Sequence, residues 1–185
     1  MKKAVICIYA LLFLAIFNCE KNKDIIKPER PTNQILLYSS FEKDGQPGNN
    51  GWLIKDESSE NYSTDVPPGG GNYSLSLRGD SLNLLGEWAR IILPAIDGNN
   101  IYRFSFWCKQ QGACGIVHIY VKTSDTSGYY TKSKLACDSL WSYYTIVDTI
   151  QTNENDSLML LIGSEHAWVP DGKAYFDLCK LEKLN

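Results

Sequence analysis

The chain reads as all-β: a two-sheet antiparallel β-sandwich. Three observations carry that expectation. From Gln34 onward, short apolar segments rich in Tyr, Ile, Val and Phe alternate with clusters of Gly, Asn, Asp, Ser and Pro. No window keeps helical periodicity over the length of a helix. A chain of 185 residues, 44% hydrophobic, supplies one ordinary domain with a real core and excludes a disordered or multi-span membrane chain. The formal net charge of −3 leaves no basic excess for a phosphate backbone, so nucleic acid is not an expected partner. Five Trp and 11 Tyr against 6 Phe favour rings with a polar handle, suited to half-exposed surfaces.

The elements follow in chain order. Lys2 and Lys3 precede an unbroken apolar run from Ala4 to Phe17, shorter than the roughly 20 residues of a spanning helix. The run closes on Ile16-Phe17-Asn18-Cys19 and gives way at once to Glu20-Lys21-Asn22-Lys23-Asp24. This segment resembles a bacterial lipoprotein signal peptide. The resemblance implies cleavage after residue 18, a lipid on Cys19, and anchorage in the cell envelope, at the outer membrane or surface of a Gram-negative cell. Asn18 departs from the small residue such signals prefer. Residues 19–33 are polar, with Pro28 and Pro31, and read as an extended tether.

Residues 34–185 form the sandwich domain. Strands are expected at 35–42, 52–55, 73–78, 87–94, 101–109, 113–122, 129–136, 142–149, 157–163 and 173–182. The loops between them are Gly45–Gly51, Asp65–Gly71, Asp97–Asn100 and Pro170–Gly172. Side chains alternate across a strand, so Tyr102, Phe104, Phe106 and Cys108 fill the core while Arg103, Ser105, Trp107 and Lys109 face out. In the next strand Val117, Ile119 and Val121 point inward, leaving Cys114, Ile116, His118, Tyr120 and Lys122 outside.

A short loop from Lys109 to Gly112 would pair these two strands directly, with Trp107 opposite Cys114 and Arg103 opposite His118. A turn on Ser124–Ser127 then sets Lys122 against Tyr129 and Cys114 against Cys137. That register turns Lys132 and Lys134 inward, which is tolerable only at a sheet edge. The result is an outward patch of Trp107, Tyr120 and Tyr129, with Arg103, His118 and Lys109 nearby. Flat rings stack on the apolar faces of sugars, and the cations donate to hydroxyls. The competing reading packs Trp107 on a Cys114–Cys137 disulfide. Trp88, Trp168 and Tyr62 are further rings in or beside loops, while Trp52 and Trp141 are assigned to the core.

Four cysteines remain in the domain, and an even number in an exported domain points to two disulfides. The register favours Cys114–Cys137, leaving Cys108 to pair with Cys179 from inward positions. No Cys-x-x-Cys spacing supports a zinc site.

Ser39-Ser40-Phe41-Glu42, Gly51-Trp52, Gly71-Asn72-Tyr73-Ser74-Leu75-Ser76-Leu77, Tyr102-Arg103-Phe104-Ser105-Phe106-Trp107, Trp141-Ser142-Tyr143-Tyr144 and Ala174-Tyr175-Phe176-Asp177-Leu178-Cys179-Lys180-Leu181 occur in that order. In this order they resemble the jelly-roll, galactose-binding-domain-like carbohydrate-binding modules found with bacterial glycanases. The resemblance covers residues 36–183. It implies a polysaccharide ligand, no catalysis, and a structural calcium held by Glu42 and Asp177; solvated carboxylates are the alternative for that pair. Two other functions stay open: a structural or adhesive lipoprotein whose jelly roll contacts protein, and a small jelly-roll glycanase with two facing carboxylates. The glycanase candidates Glu57, Glu60, Glu87, Glu154 and Glu165 fall mostly in polar loops, and neither His118 nor His166 sits beside a nucleophile motif.

Overall fold

The computed structural model describes residues 33–82, 85–123, 125 and 127–185. The signal peptide at 1–18, all but the last residue of the tether at 19–33, and Cys19 lie outside the described residues. In chain order the strands are β1 (Gln34–Ser39), β2 (Glu42–Lys43), β3 (Gln46–Pro47), β4 (Leu53–Ile54), β5 (Tyr62–Ser63), β6 (Ser74–Arg78) and β7 (Leu85–Pro94). They continue as β8 (Gly98–Gln111), β9 (Gly115–Lys122), β10 (Gly128–Ala136), β11 (Ser142–Thr152), β12 (Ser157–Glu165) and β13 (Lys173–Leu184). All ten expected strands are present. β2 and β3 form a small hairpin partly inside the expected Gly45–Gly51 loop, and β8 starts at Gly98, within the expected Asp97–Asn100 loop.

The strands make two main antiparallel sheets. A six-stranded sheet runs β11-β8-β13-β6-β5, with β1 also on β13; a five-stranded sheet runs β10-β9-β12-β7-β4. Between them lies a core that includes Phe41, Trp52, Leu75, Phe104, Phe106, Ile119, Leu160 and Phe176. Phe106 stacks on Tyr144 at 5.5 Å and meets Phe176 at 6.0 Å. Trp52 is core, as expected. The expected alternation holds in both β8 and β9: Tyr102, Phe104, Phe106, Cys108, Val117, Ile119 and Val121 are all buried inward.

The pairing of those two strands is different from the expectation. β8 pairs with β11 and β13, whereas β9 pairs with β10 and β12, so they belong to opposite layers. Gly112, at φ +83°, turns the chain out of the first sheet before Gly115 opens β9 in the second. The inward sets therefore face each other across the core instead of lying side by side. Alternation alone is satisfied by either arrangement. Trp107 lies opposite Tyr143 and Asp177, not Cys114, and Arg103 lies opposite Val147 and Glu182, not His118.

The β9–β10 hairpin is in the expected register from Lys132 to Ala136. A bulge at Thr131 then shifts the first part by one, so that Lys122 meets Gly128 and Tyr129 meets Val121. Cys114 and Cys137 form the expected disulfide. Lys132 and Lys134 do turn inward, and β10 is an edge strand. The Lys132 ammonium donates to the Val147 carbonyl at 2.8 Å, and Lys134 lies 6.0 Å from the Tyr144 ring, so both reach across to β11 of the other sheet. Cys108 and Cys179 are free, buried thiols, contrary to expectation. Both side chains point inward, but Cys108 lies opposite Phe176, three positions before Cys179, and the two are not opposed.

Candidate functional site

The outer face of the six-stranded sheet collects the rings. Trp107 on β8 stands outward, and its cross-strand neighbour Tyr143 on β11 meets it at 5.7 Å between ring centroids. One step along, Lys109 lies opposite Tyr175 on β13, and its ammonium sits 5.8 Å from that ring. Trp141, just ahead of β11, approaches Tyr175 to 6.4 Å. This corrects the core assignment of Trp141: it is half-buried on the outer face. The local pattern contains the signal. Tyr144, Ile146 and Ile150 set the inward phase of β11, which places Tyr143 outside; Ala174 and Phe176 put Tyr175 on the same face, where it is only 8% exposed beside Trp141 and Lys109.

Polar groups brace this row. Asp65, from the loop after β5, accepts from Lys109 Nζ at 2.5 Å and from Trp141 Nε1 at 2.8 Å. Burial pushes the Asp65 carboxyl up, but the bonds from Lys109 and Trp141 and the lysine charge outweigh it and hold the group below its ordinary value. The Tyr175 hydroxyl donates to Gln111 Oε1 at 2.5 Å. At the other end of β8, Arg103 contacts Glu182 at 2.8 Å and Lys180 contacts it at 3.3 Å. Burial raises the Glu182 carboxyl, and its two cationic partners more than reverse that. Asp65 is not among the residues expected from sequence, because nothing in Tyr62-Ser63-Thr64-Asp65 marks a side chain that reaches back over a distant strand.

The remaining expected site residues are elsewhere. Tyr120 and His118 lie on the outer face of the five-stranded sheet, opposite Met159 and Leu161 of β12, and so on the far side of the sandwich from Trp107. Their rings meet at 6.1 Å, and burial lowers the His118 imidazole below its usual range. Tyr129 leans over the sandwich edge and donates its hydroxyl to the Gln151 carbonyl at 2.6 Å. The expected patch is thus divided between two faces and an edge. Trp107, Arg103 and Lys109 stay together; Tyr120, Tyr129 and His118 do not join them. Three of the five glycanase candidates serve the scaffold: Glu57 accepts from Tyr62 and Asn49, Glu60 pairs with Arg78, and Glu87 accepts from Asn61 and the Arg78 amide.

Glu42 and Asp177 come together beneath the Asp65–Gly71 loop. A Cβ on Gly70 would stand 2.6 Å from Asp177 Oδ2, and one on Gly71 would stand 1.8 Å from Glu42 Oε1, so only glycines let the loop close here. Asp177 is buried, and its Oδ2 has no hydrogen-bond partner. Burial, with Glu42's charge adding, pushes its carboxyl up to about 7 against the donation from the Leu178 amide. An orphaned carboxylate oxygen beside a second carboxylate fits a hard cation with oxygen ligands. Among the described residues no group of three or more His, Cys, Asp or Glu converges, so main-chain carbonyls and water would complete the shell.

Neither a family model nor a curated protein sequence matches the chain. Solved structures do. The CBM22-1 xylan-binding domain from Paenibacillus barcinonensis Xyn10C superposes with a TM-score of 0.59 at 16% identity, over 83% of this chain and 97% of that one. The C-terminal family 22 carbohydrate-binding module of Clostridium thermocellum Xyn10B gives 0.56 at 13% identity, over 83% and 97%. The chain has the fold of these carbohydrate-binding modules, a jelly-roll sandwich.

Proposed function

We propose that the chain is a non-catalytic polysaccharide-binding protein that holds glycan on the outer face of its six-stranded sheet and is anchored to the cell envelope by a lipid on Cys19. The observation that carries this reading is the row Trp107, Tyr143 and Trp141, standing outward on the sheet, with the buried Tyr175 ring behind Trp141 and the Lys109–Asp65 pair beside it. The rings offer stacking surface, and the ion pair offers a donor and an acceptor to hydroxyls. A large aromatic buries roughly 150–250 Å² in all. If a sugar covers half of that, about 25 cal/mol per Å² gives about 2–3 kcal/mol per ring. Two or three such rings match millimolar-to-micromolar binding, about −4 to −8 kcal/mol.

The fold shared with xylan-binding modules makes a β-1,4-xylan the first ligand to test. A calcium ion between Glu42 and Asp177 would neutralise their repulsion and fix the loop that carries Asp65; its role is structural.

The test is affinity electrophoresis against a polysaccharide panel, with Trp107→Ala alongside. The protein should be retarded by xylan, and the variant should migrate freely. No retardation on any glycan would move the assignment to protein contact, for which the exposed Leu53 and Ile92, on the paired strands β4 and β7, supply apolar side chains. Release of reducing sugar would instead identify a glycanase.

A further inference from the structure

β8 does not stop at the aromatic row. Four residues beyond Trp107, about 13 Å along the strand, it reaches a shallow basin of about 550 Å³ whose lining includes Asp65, Lys109, Gln111, Ser139 and Trp168. Asp65 and Lys109 also brace the row, so the two surfaces share a wall. Trp168 is 55% exposed, yet its loop is fixed. Its amide donates to the Gly112 carbonyl at 3.1 Å, and the Gly172 amide donates to the Val169 carbonyl at 3.2 Å.

Two glycines make this fit possible. A Cβ on Gly112 would meet Val169 Cγ2 at 2.1 Å, and one on Gly172 would meet the Gly112 carbonyl oxygen at 2.3 Å. The loop is therefore pressed onto the end of β8 while its largest apolar ring stays in water. Folding gains little from a tryptophan held this way.

We infer that the glycan site continues off the sheet into this basin, where Trp168 is a second stacking surface and the Lys109–Asp65 pair contacts hydroxyls between the two parts. The ligand is an extended, neutral polysaccharide chain that spans both. Neutrality follows from the pairing: Lys109, the cation in the basin's described lining, is already matched by Asp65 and so does not select a uronate there. This rests on the glycan-binding reading above and adds a dependence on chain length.

Calorimetric titration with xylotriose and xylohexaose tests it on the wild-type protein, Trp107→Ala and Trp168→Ala. Trp168 is exposed, so its variant should melt at the wild-type temperature. The wild type should bind the hexaose more tightly than the triose. Trp168→Ala should lose about 30-fold in affinity for the hexaose, the loss of one half-covered ring, and nothing for the triose. Trp107→Ala should weaken both. If Trp168→Ala leaves the hexaose unaffected while Trp107→Ala weakens it, the extension falls and the sheet site stands. If Trp168→Ala weakens both equally, the two-part site falls. If Trp107→Ala changes neither, or the wild type binds neither probe nor any glycan of the panel, the sheet reading falls and takes the extension with it.

Discussion

Reduction of the Cys114–Cys137 bond is the perturbation whose size follows most directly from the structure. The bond joins the start of β9 to the end of β10 across a sequence separation of 23. A closed loop of that length removes enough unfolded-state entropy to stabilise the fold by about 3 kcal/mol. With a urea m-value of about 2 kcal/mol/M, the midpoint should fall by about 1.5 M. The other two thiols of the domain, Cys108 and Cys179, are already free, so a reductant has no second bond to cut among the described residues. Urea titration followed by tryptophan fluorescence, with and without reductant, measures the shift. A Cys114→Ser/Cys137→Ser double variant should overlay on the reduced wild type.

The effect should also reach the binding face. Cys137 opens the turn that leads to Trp141, and Asp138 in that turn accepts from the Tyr144 hydroxyl at 2.5 Å and from the Gln110 amide at 2.9 Å. Loosening it should weaken glycan affinity several-fold, by about 1 kcal/mol for one ring that must be ordered on binding. A midpoint that does not move on reduction would refute the loop-entropy reasoning.

Two further outcomes are expected. Asp177, raised to about 7 from an ordinary 3.8, favours the protonated form in the folded state. Its contribution to stability is complete below about pH 4 and declines as pH rises to about 7. Calcium should therefore raise the melting temperature more at pH 8 than at pH 5, and Asp177→Asn should abolish both the pH slope and the calcium response; no calcium shift at either pH would remove the cation site. For Asp65, the carboxyl lies below 3.8, so its bracing is present above that value and lost only as pH falls through the lowered one. Asp65→Asn keeps an acceptor for Trp141 and loses an ion pair that, with its partners 25% and 41% exposed, is worth at most about 1 kcal/mol. Asp65→Ala loses about 1–2 kcal/mol more. Xylohexaose affinity should rank wild type, then Asn, then Ala; equal affinity of all three would show that Trp141 needs no brace.

The strands and their faces were legible because alternation is a local property. Tyr102 to Cys108 and Val117 to Val121 are inward as their phase requires, and the same reading placed Trp107 outside and joined Cys114 to Cys137. Layer membership was not legible. A strand's phase says which side is apolar, not which sheet it enters, and a short connection at Lys109–Gly112 favours a hairpin as much as a crossing. That one ambiguity moved Tyr120 and His118 to the opposite face. The Thr131 bulge, which adds one residue to β10, leaves no mark in hydrophobic pattern. Trp141 misleads because large rings suit a core and an outer platform alike; its phase relative to Tyr144 and Ile146 carries the correct answer.

The lysines of β10 have a further consequence. An edge strand with free amides and carbonyls invites a second molecule to add its own strand, the first step toward polymers. Here Lys132 and Lys134 fold over the seam between the layers, and a strand docking alongside would have to strip each ammonium from its seat or bury it without a counter-ion. Replacing both with valine would remove that deterrent while improving β propensity. The natural pair trades a little intrinsic strand preference for staying dispersed when many copies are crowded together.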